Sequence, residues 1–318
     1  MPLHPYPVGW FVVAFSEELG CGDVKKLRYF GRDLVLFRTE SGRPVVADAH
    51  CPHLGAHLGV GGTVVGESIR CPFHAWRFDA SGSCVDVPYA KSIPRKAAIR
   101  TYPVDEKNGV VLMHYAPDGR APSYTIPAMP EHGAEGWSPW FHRTLRIRTR
   151  PREIVENVVD LAHFPTVHKN RVDTFENEFV GERAIQRATG GGIPDGPHTS
   201  AEFDYRSEAI YYGPAYQITA MHHRLETRLL NAHTPIDEDE LELRFAMLIH
   251  WPGETSKLAR IANAYVDDIQ RGFQQDVAIW EHKDFREQPV LADGDGPIGK
   301  LRRWYAQFFV EEPGTGAP

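Results

Sequence analysis

Four residues in the first third of the chain have the types and spacing of metal ligands: Cys51 and His53 in Cys51-Pro52-His53, and Cys71 and His74 in Cys71-Pro72-Phe73-His74. Two thiolates and two imidazoles suit a [2Fe-2S] cluster in which histidines replace cysteines on one of the two irons. Structural zinc also accepts such a set, but zinc frameworks open with C-x₂₋₄-C and close with H-x₃₋₅-H, an order absent here. A Cys51–Cys71 disulfide fits poorly with four cysteines in a long chain lacking a secretion signal. Cys21 and Cys84 have no partner at ligand spacing, and His57 has no matching cysteine. The glycines between Gly59 and Gly66 do not form G-x-G-x-x-G and are expected to serve tight turns.

A second constellation lies in Glu156-Asn157-Val158-Val159-Asp160-Leu161-Ala162-His163-Phe164-Pro165-Thr166-Val167-His168. On a regular helix the five steps from His163 to His168 rotate the side chain by about 140°, so the two share one metal only if the turn is distorted. Pro165 removes a backbone donor between them, as such a distortion requires. Two ordinary half-buried histidines are the alternative. Asp160, one turn before His163, can accept the second imidazole N–H and set the tautomer. Two histidines and one carboxylate with open positions make the facial triad of non-haem iron oxygenases. For the carboxylate, steps of about 100° along a late amphipathic helix place Ile269, Phe273, Val277 and Trp280 on one arc with Asp276 at its edge. A buried carboxylate needs a cation, supplied by iron or by an arginine. Asp284 and Asp293 are weaker candidates.

Positioning these groups takes two kinds of domain, and 318 residues with 42% apolar content suffice for two cores. The first, residues 1–118, reads as all-β. Strand-like runs are Val8–Ala14, Asp33–Arg38 and Pro44–Ala49 around a Ser41-Gly42 turn, Ala75–Phe78 and Cys84–Val87 around Asp79–Gly82, Ile99–Tyr102, and Gly109–Met113. A proline- and glycine-dotted linker follows from Ala116 to Pro130. The second, residues 119–318, reads as α+β: a strand at Phe141–Arg148, a helix beginning near Arg152, strands at Gln217–Ala232 and Leu241–Trp251, and a helix over Leu258–Phe285. A net charge of −7 with mixed signs argues against a nucleic-acid surface. Short apolar runs and an N-terminus without signal-peptide character predict a soluble cytoplasmic protein with no membrane span.

The strings CPHLGAHLG, CPFHAWRF, ENVVDLAHFPTVH and QQDVAIW, in that order, resemble the Rieske non-haem iron oxygenases, the terminal components of multicomponent hydroxylases. Val87-Pro88-Tyr89, Gly296-Pro297 with Leu301–Tyr305, and Gln307–Val310 are similar to the branch of 3-ketosteroid 9α-hydroxylases and cholesterol 7-desaturases. Ala75 stands where that cluster motif often has glycine. The resemblance implies a small all-β Rieske domain followed by a helix-grip, START-like catalytic domain with an antiparallel sheet and flanking helices. It further implies that Cys51 and Cys71 hold one cluster iron, His53 and His74 the other, and His163, His168 and Asp276 the mononuclear Fe(II). Asp160 matches the family's bridging aspartate between the mononuclear iron and a cluster histidine of a neighbouring subunit, within a ring-shaped homotrimer. Asn157 falls beside the iron pocket in a supporting role.

No flavin or nicotinamide fingerprint occurs, so electrons must come from a separate NAD(P)H-dependent reductase, directly or through a ferredoxin. The resemblance implies that dioxygen is used to attack an unactivated C–H bond, giving an alcohol or, by a second abstraction, an alkene. Ala209–Tyr216 and Phe245–Trp251 offer aromatic and aliphatic walls for a large apolar, steroid-like substrate. Three readings result: a steroid monooxygenase, a desaturase or other natural-product hydroxylase on the same scaffold, and a plain Rieske electron carrier.

Overall fold

The computed structural model describes residues 3–192, 204–223, 225–251 and 255–311. The chain divides into two compact units, one of Trp10–Ser123 with Ile236–Glu238, the other of Met1–Gly9, Tyr124–Pro235 and Asp239–Pro318.

The smaller unit is built from strands β1 (Gly9–Phe15), β2 (Val24–Tyr29), β3 (Arg32–Arg38), β4 (Pro44–Asp48), β5 (Thr63–Val65), β6 (Ser68–Arg70), β7 (Arg77–Asp79), β8 (Cys84–Asp86), β9 (Thr101–Tyr102), β10 (Val104–Lys107) and β11 (Val110–Tyr115). They form three sheets, β1-β11-β10, β2-β3-β4-β9 and β5-β6-β7-β8. β1, an uninterrupted apolar run, and β11, apolar but for His114, are buried along their whole length. The hairpin expected around Ser41-Gly42 is present, with Leu36 opposite Val46 and Gly42 in the left-handed region at φ 94°. Val35, Phe37, Ile69 and Phe78 share a core with Cys51 and Cys71, so the cluster-type motifs sit on packed strands. At Gly62 a Cβ would lie 2.1 Å from the Leu58 carbonyl oxygen, which accounts for one glycine between the motifs.

The larger unit holds β12 (Phe141–Ile147), α1 (Pro151–Glu156), a π-helical turn (Phe164–His168), β13 (Asn170–Val180), β14 (Arg183–Gly192), β15 (Tyr205–Tyr212), β16 (Tyr216–His222), β17 (Glu226–Pro235), β18 (Leu241–Ile249), α2 (Thr255–Trp280) and α3 (Ile298–Ala306). One antiparallel sheet runs β12-β18-β17-β16-β15-β14-β13. The α+β reading holds, but the sheet is larger than the sequence suggested. The single strand expected over Gln217–Ala232 is two, β16 and β17, paired with Gln217 opposite Asn231. β13 to β15 were not anticipated: β13 reads NRVDTFENEFV, half-exposed along its length, so its pattern lacks the apolar alternation of a buried strand.

Directly paired residues share a face, so one face of the sheet can be followed across the strands. Phe245 on β18 leads through Asn231, Gln217, Tyr211 and Ala184 to Phe179 on β13. Helix α2 covers the β18 end, with Ala262, Val266, Phe273, Val277 and Trp280 against Leu243, Phe245 and Met247. The β13 end is covered by α3, whose Leu301, Trp304 and Tyr305 pack on Val155, Val158 and Ala184. Among the described residues no helix is long and apolar enough to cross a membrane.

Candidate metal centres and catalytic site

The two motifs of the smaller unit form matching loops. In the first, Gly55 donates its N–H to the Cys51 carbonyl and Cys51 donates to Ala56; in the second, Ala75 donates to Cys71 and Cys71 donates to Trp76. The fourth residue after each cysteine is left-handed, Gly55 at φ 77° and Ala75 at φ 59°. A glycine is the natural occupant there, and alanine costs about 1 kcal/mol. The loops bring the His53 and His74 rings to 4.6 Å between centroids. The Trp76 indole stacks on His53 at 4.7 Å and donates Nε1–H to the Tyr89 hydroxyl.

Cys51 and Cys71 are each 2% exposed and carry free thiols. Burial, with the second cysteine adjacent, pushes the Cys51 thiol up to about 11, so this sulfur ionises only beside a cation. His53 Nδ1 is buried without a hydrogen-bond partner. Two buried thiols on loops that bring two imidazoles together, one with an orphaned nitrogen, fit a cluster held by two sulfurs and two ring nitrogens. Cys21 is exposed, and Cys84 packs in the core with its thiol toward the Asp86 carbonyl.

In the larger unit the chain leaves α1 at Asn157 and enters the π-helical turn at His163. The wider turn, with Pro165 inside it, is the distortion that the five-residue spacing demanded. The His163 and His168 rings lie 5.2 Å apart. Asp276 reaches them from α2, and one ligand atom from each of the three falls within 4.8 Å of the others. Asp276 is 7% exposed, and its Oδ1 stands 3.3 Å from His168 Nε2. No arginine pairs with it among the described residues, so the salt-bridge alternative fails. Asp284 and Asp293 are exposed and belong to no cluster of ligating side chains among the described residues.

Hydrogen bonds fix both imidazoles from behind. His163 Nδ1 donates to the Asp160 backbone carbonyl at 2.6 Å, while the Asp160 carboxylate stands 3.7 Å from the same nitrogen. The expected carboxylate contact is therefore secondary to a main-chain bond, because Asp160 and His163 belong to one tight turn. Hydrogen bonding to His163 holds the Asp160 carboxyl below the usual range, against the opposing effect of burial. His168 Nδ1 donates to Gln275 Oε1 at 3.0 Å, a contact the sequence analysis did not anticipate. Burial is the largest single effect on His168 and lowers its proton affinity, but the bond and charge of Asp276 and the bond to Gln275 together outweigh it and the net direction is upward. A buried carboxylate facing two imidazoles whose outer nitrogens are already engaged fits a divalent cation. Asn157 is half-buried at the foot of α1, where its backbone N–H closes on Ile154.

The profile of the Rieske [2Fe-2S] domain matches residues 9–103, and that of the 3-ketosteroid 9α-hydroxylase C-terminal domain matches residues 113–309. This chain belongs to the 3-ketosteroid 9α-hydroxylase family of Rieske oxygenases. A 3-ketosteroid-9-alpha-monooxygenase oxygenase component of Rhodococcus rhodochrous is 36% identical over 95% of this chain and 81% of its own length. The Ciona intestinalis protein cholesterol 7-desaturase nvd 1 is 30% identical over 96% of this chain and 69% of its own length. Dicamba monooxygenase with dicamba bound shares the fold at a TM-score of 0.76 and 20% identity, covering 94% of this chain and 96% of that one. Like the other members of this family, the chain is the oxygenase component of a monooxygenase, with a [2Fe-2S] cluster and a non-haem iron as cofactors.

Proposed function

We propose that Cys51, His53, Cys71 and His74 hold the cluster, that His163, His168 and Asp276 hold the mononuclear iron, and that the enzyme hydroxylates an unactivated C–H bond of a large apolar, steroid-like substrate. The observation that carries this reading is the facial arrangement of His163, His168 and Asp276 within 4.8 Å in a chain of this family. The plain electron carrier is disfavoured by the same observation, since a carrier has no use for a second ligand set. Residues 1–118 and 119–318 are taken as the cluster and catalytic domains.

The cluster carries single electrons and the mononuclear iron activates dioxygen. The protein's own share is orientation and insulation. His163 and His168 each present one nitrogen because the other is occupied by Asp160 or Gln275. Asp276 brings the only full negative charge to the triad, so a ferrous ion held there would keep a net positive charge. Asp160 keeps its carboxylate 43% exposed. It is thereby free to receive a cluster histidine from the next subunit of a homotrimer, with a separate NAD(P)H-dependent reductase, directly or through a ferredoxin, as electron source. A supporting role falls to Asn157, three residues before Asp160.

The substrate class rests on the sheet face that α2 covers. The π-helical turn lies against β13, with Phe164 6.0 Å from Phe175, whereas α2 lies on β12 and β18. The triad joins the two, and the middle strands run beneath with Ala209, Tyr211, Gln217, Thr219, Leu229 and Asn231 facing it. Ala209, Tyr211 and Leu229 offer apolar area, while Gln217, Thr219 and Asn231 are polar, and Asn231 Oδ1 is buried without a partner. An apolar ligand with an oxygen function satisfies both features. Expression in the cytoplasm beside its reductase agrees with the use of NAD(P)H.

Desaturation is the second reading, favoured by the likeness to the cholesterol desaturase. Incubation with a compatible reductase and a panel of sterols and 3-ketosteroids, read by mass spectrometry, tests both. Gain of one oxygen supports hydroxylation, and loss of two hydrogens supports desaturation. No turnover of any steroid, together with turnover of an unrelated apolar compound, overturns the steroid assignment.

A further inference from the structure

The His168 imidazole is held at both nitrogens by neighbouring residues of one helix. Asp276 stands 3.3 Å from Nε2, and Gln275 Oε1 accepts from Nδ1 at 3.0 Å. Consecutive side chains on a helix diverge by about 100°, so a single ring between them is gripped from two directions. We propose that Gln275 is a positioning residue for the mononuclear iron: it clasps the outer edge of His168, fixes the Nδ1–H tautomer and ties the π-helical turn to α2 before metal arrives.

Three features carry this. First, Gln275 is exposed, so neither burial nor core packing holds its side chain where it lies. Its bond to His168 is what orders it, against the rotamer entropy of a free glutamine side chain. Second, the two histidines are secured by different means. His163 is braced by a carbonyl within its own turn, whereas His168, at the end of that turn, has a brace 107 residues away in sequence. Lys169 follows His168 in a left-handed conformation, φ 56°, and the chain then departs into β13. The local backbone therefore supplies His163 with its orientation, and α2 must supply it to His168. Third, the acceptor is a neutral amide. A carboxylate in its place would draw the imidazole N–H more strongly and add a second negative charge beside Asp276, making the ligand more basic. With glutamine, the site keeps a single carboxylate.

The inference rests on the metal-centre reading given above. The test is anaerobic Fe(II) titration of protein stripped of mononuclear iron but retaining its cluster, with Co(II) as a visible-absorbing probe of coordination. Gln275→Leu is expected to weaken Fe(II) binding by about 10–100-fold, with cluster absorbance and metal-free melting temperature unchanged. Gln275→Glu is expected to recover binding to within a few-fold of wild type while shifting the Co(II) ligand-field bands. Gln274→Leu, at the exposed neighbouring position, serves as the control and should bind as wild type does. Wild-type affinity in Gln275→Leu, or a Gln275→Glu protein as weak as Gln275→Leu, overturns the clasp. Failure of the wild type itself to take up Fe(II) overturns the metal-centre reading instead.

Discussion

Gly296 provides the sharpest test of how the catalytic turn is supported. It lies in the segment leading into α3, and a Cβ built on it would stand 1.6 Å from the Val159 carbonyl oxygen and 2.7 Å from the Val159 carbonyl carbon. Van der Waals contact needs roughly 3.5 Å, so Gly296→Ala forces the two stretches of backbone apart by roughly 2 Å. Both are main chain, and no side chain can swing away to absorb the clash. Overpacking of this kind costs about 1–3 kcal/mol, which for a domain of this size lowers the melting temperature by roughly 2–4 °C per kcal/mol. The larger consequence is local. Val159 precedes Asp160, whose carbonyl orients His163, so a displacement of this size exceeds the tolerance of about 0.5 Å within which a site keeps its geometry. Gly296→Ala should thus retain the visible spectrum of the cluster while losing mononuclear iron and most of its oxygen uptake. Gly272→Ala is the matched control: nothing lies within 4 Å of its added Cβ, it sits inside α2, and alanine there should raise stability by up to about 1 kcal/mol. Differential scanning fluorimetry, metal analysis and oxygen-electrode traces on the three proteins decide the matter. A Gly296→Ala enzyme with normal iron content and normal melting would refute the argument that this contact shapes the catalytic turn.

Three further outcomes are expected. His163→Ala should lower iron from about three atoms per chain to about two and abolish substrate-dependent oxygen uptake with cluster absorbance intact, as metal analysis and visible spectroscopy will show. Asp160→Ala should leave both iron contents close to normal but slow electron delivery by at least about tenfold, seen as a reduced cluster that fails to reoxidise with substrate and dioxygen in single-turnover stopped flow. His233 is fully buried on β17, with neither ring nitrogen hydrogen-bonded, and burial lowers its pKa to about 3. The unfolded chain therefore takes up a proton near pH 6.5 that the native state refuses. Stability is fully present above that value and falls as the pH drops from about 6.5 towards 3, at up to about 1.4 kcal/mol per pH unit from this residue. Urea midpoints of wild type and His233→Leu between pH 7 and 4.5 test this; equal slopes would remove His233 as the cause.

The smaller unit was largely legible because its signals are local. The Ser41-Gly42 turn, the apolar run of β1 and the paired motifs each lie within a few residues, and backbone sterics decide them. The sheet of the larger unit was half visible. β18 is apolar from Phe245 to Ile249 and buried over most of its length, but β13 has charged and amide side chains at many of its positions, and its strand character depends on pairing with β14. The hairpin of β16 and β17 was read as one strand because β propensity marks where chain is extended and says little about where it reverses.

For the candidate site, the sequence alone offered the residues proposed as ligands. Cysteine, histidine and aspartate are recognised by intrinsic chemistry and spacing, and the amphipathic arc of α2 singled out Asp276 as a carboxylate in want of a cation. Only the tertiary structure decided the turn that lets His163 and His168 converge, the main-chain carbonyl that orients the first, the amide of Gln275 that orients the second, and the close approach of Gly296 to Val159. Which donor atoms a chain possesses is a property of single residues. Their directions are set partly by the local turn, as at His163, and partly by contacts between segments more than a hundred residues apart, as between His168 and Gln275, which form only once the whole domain has closed.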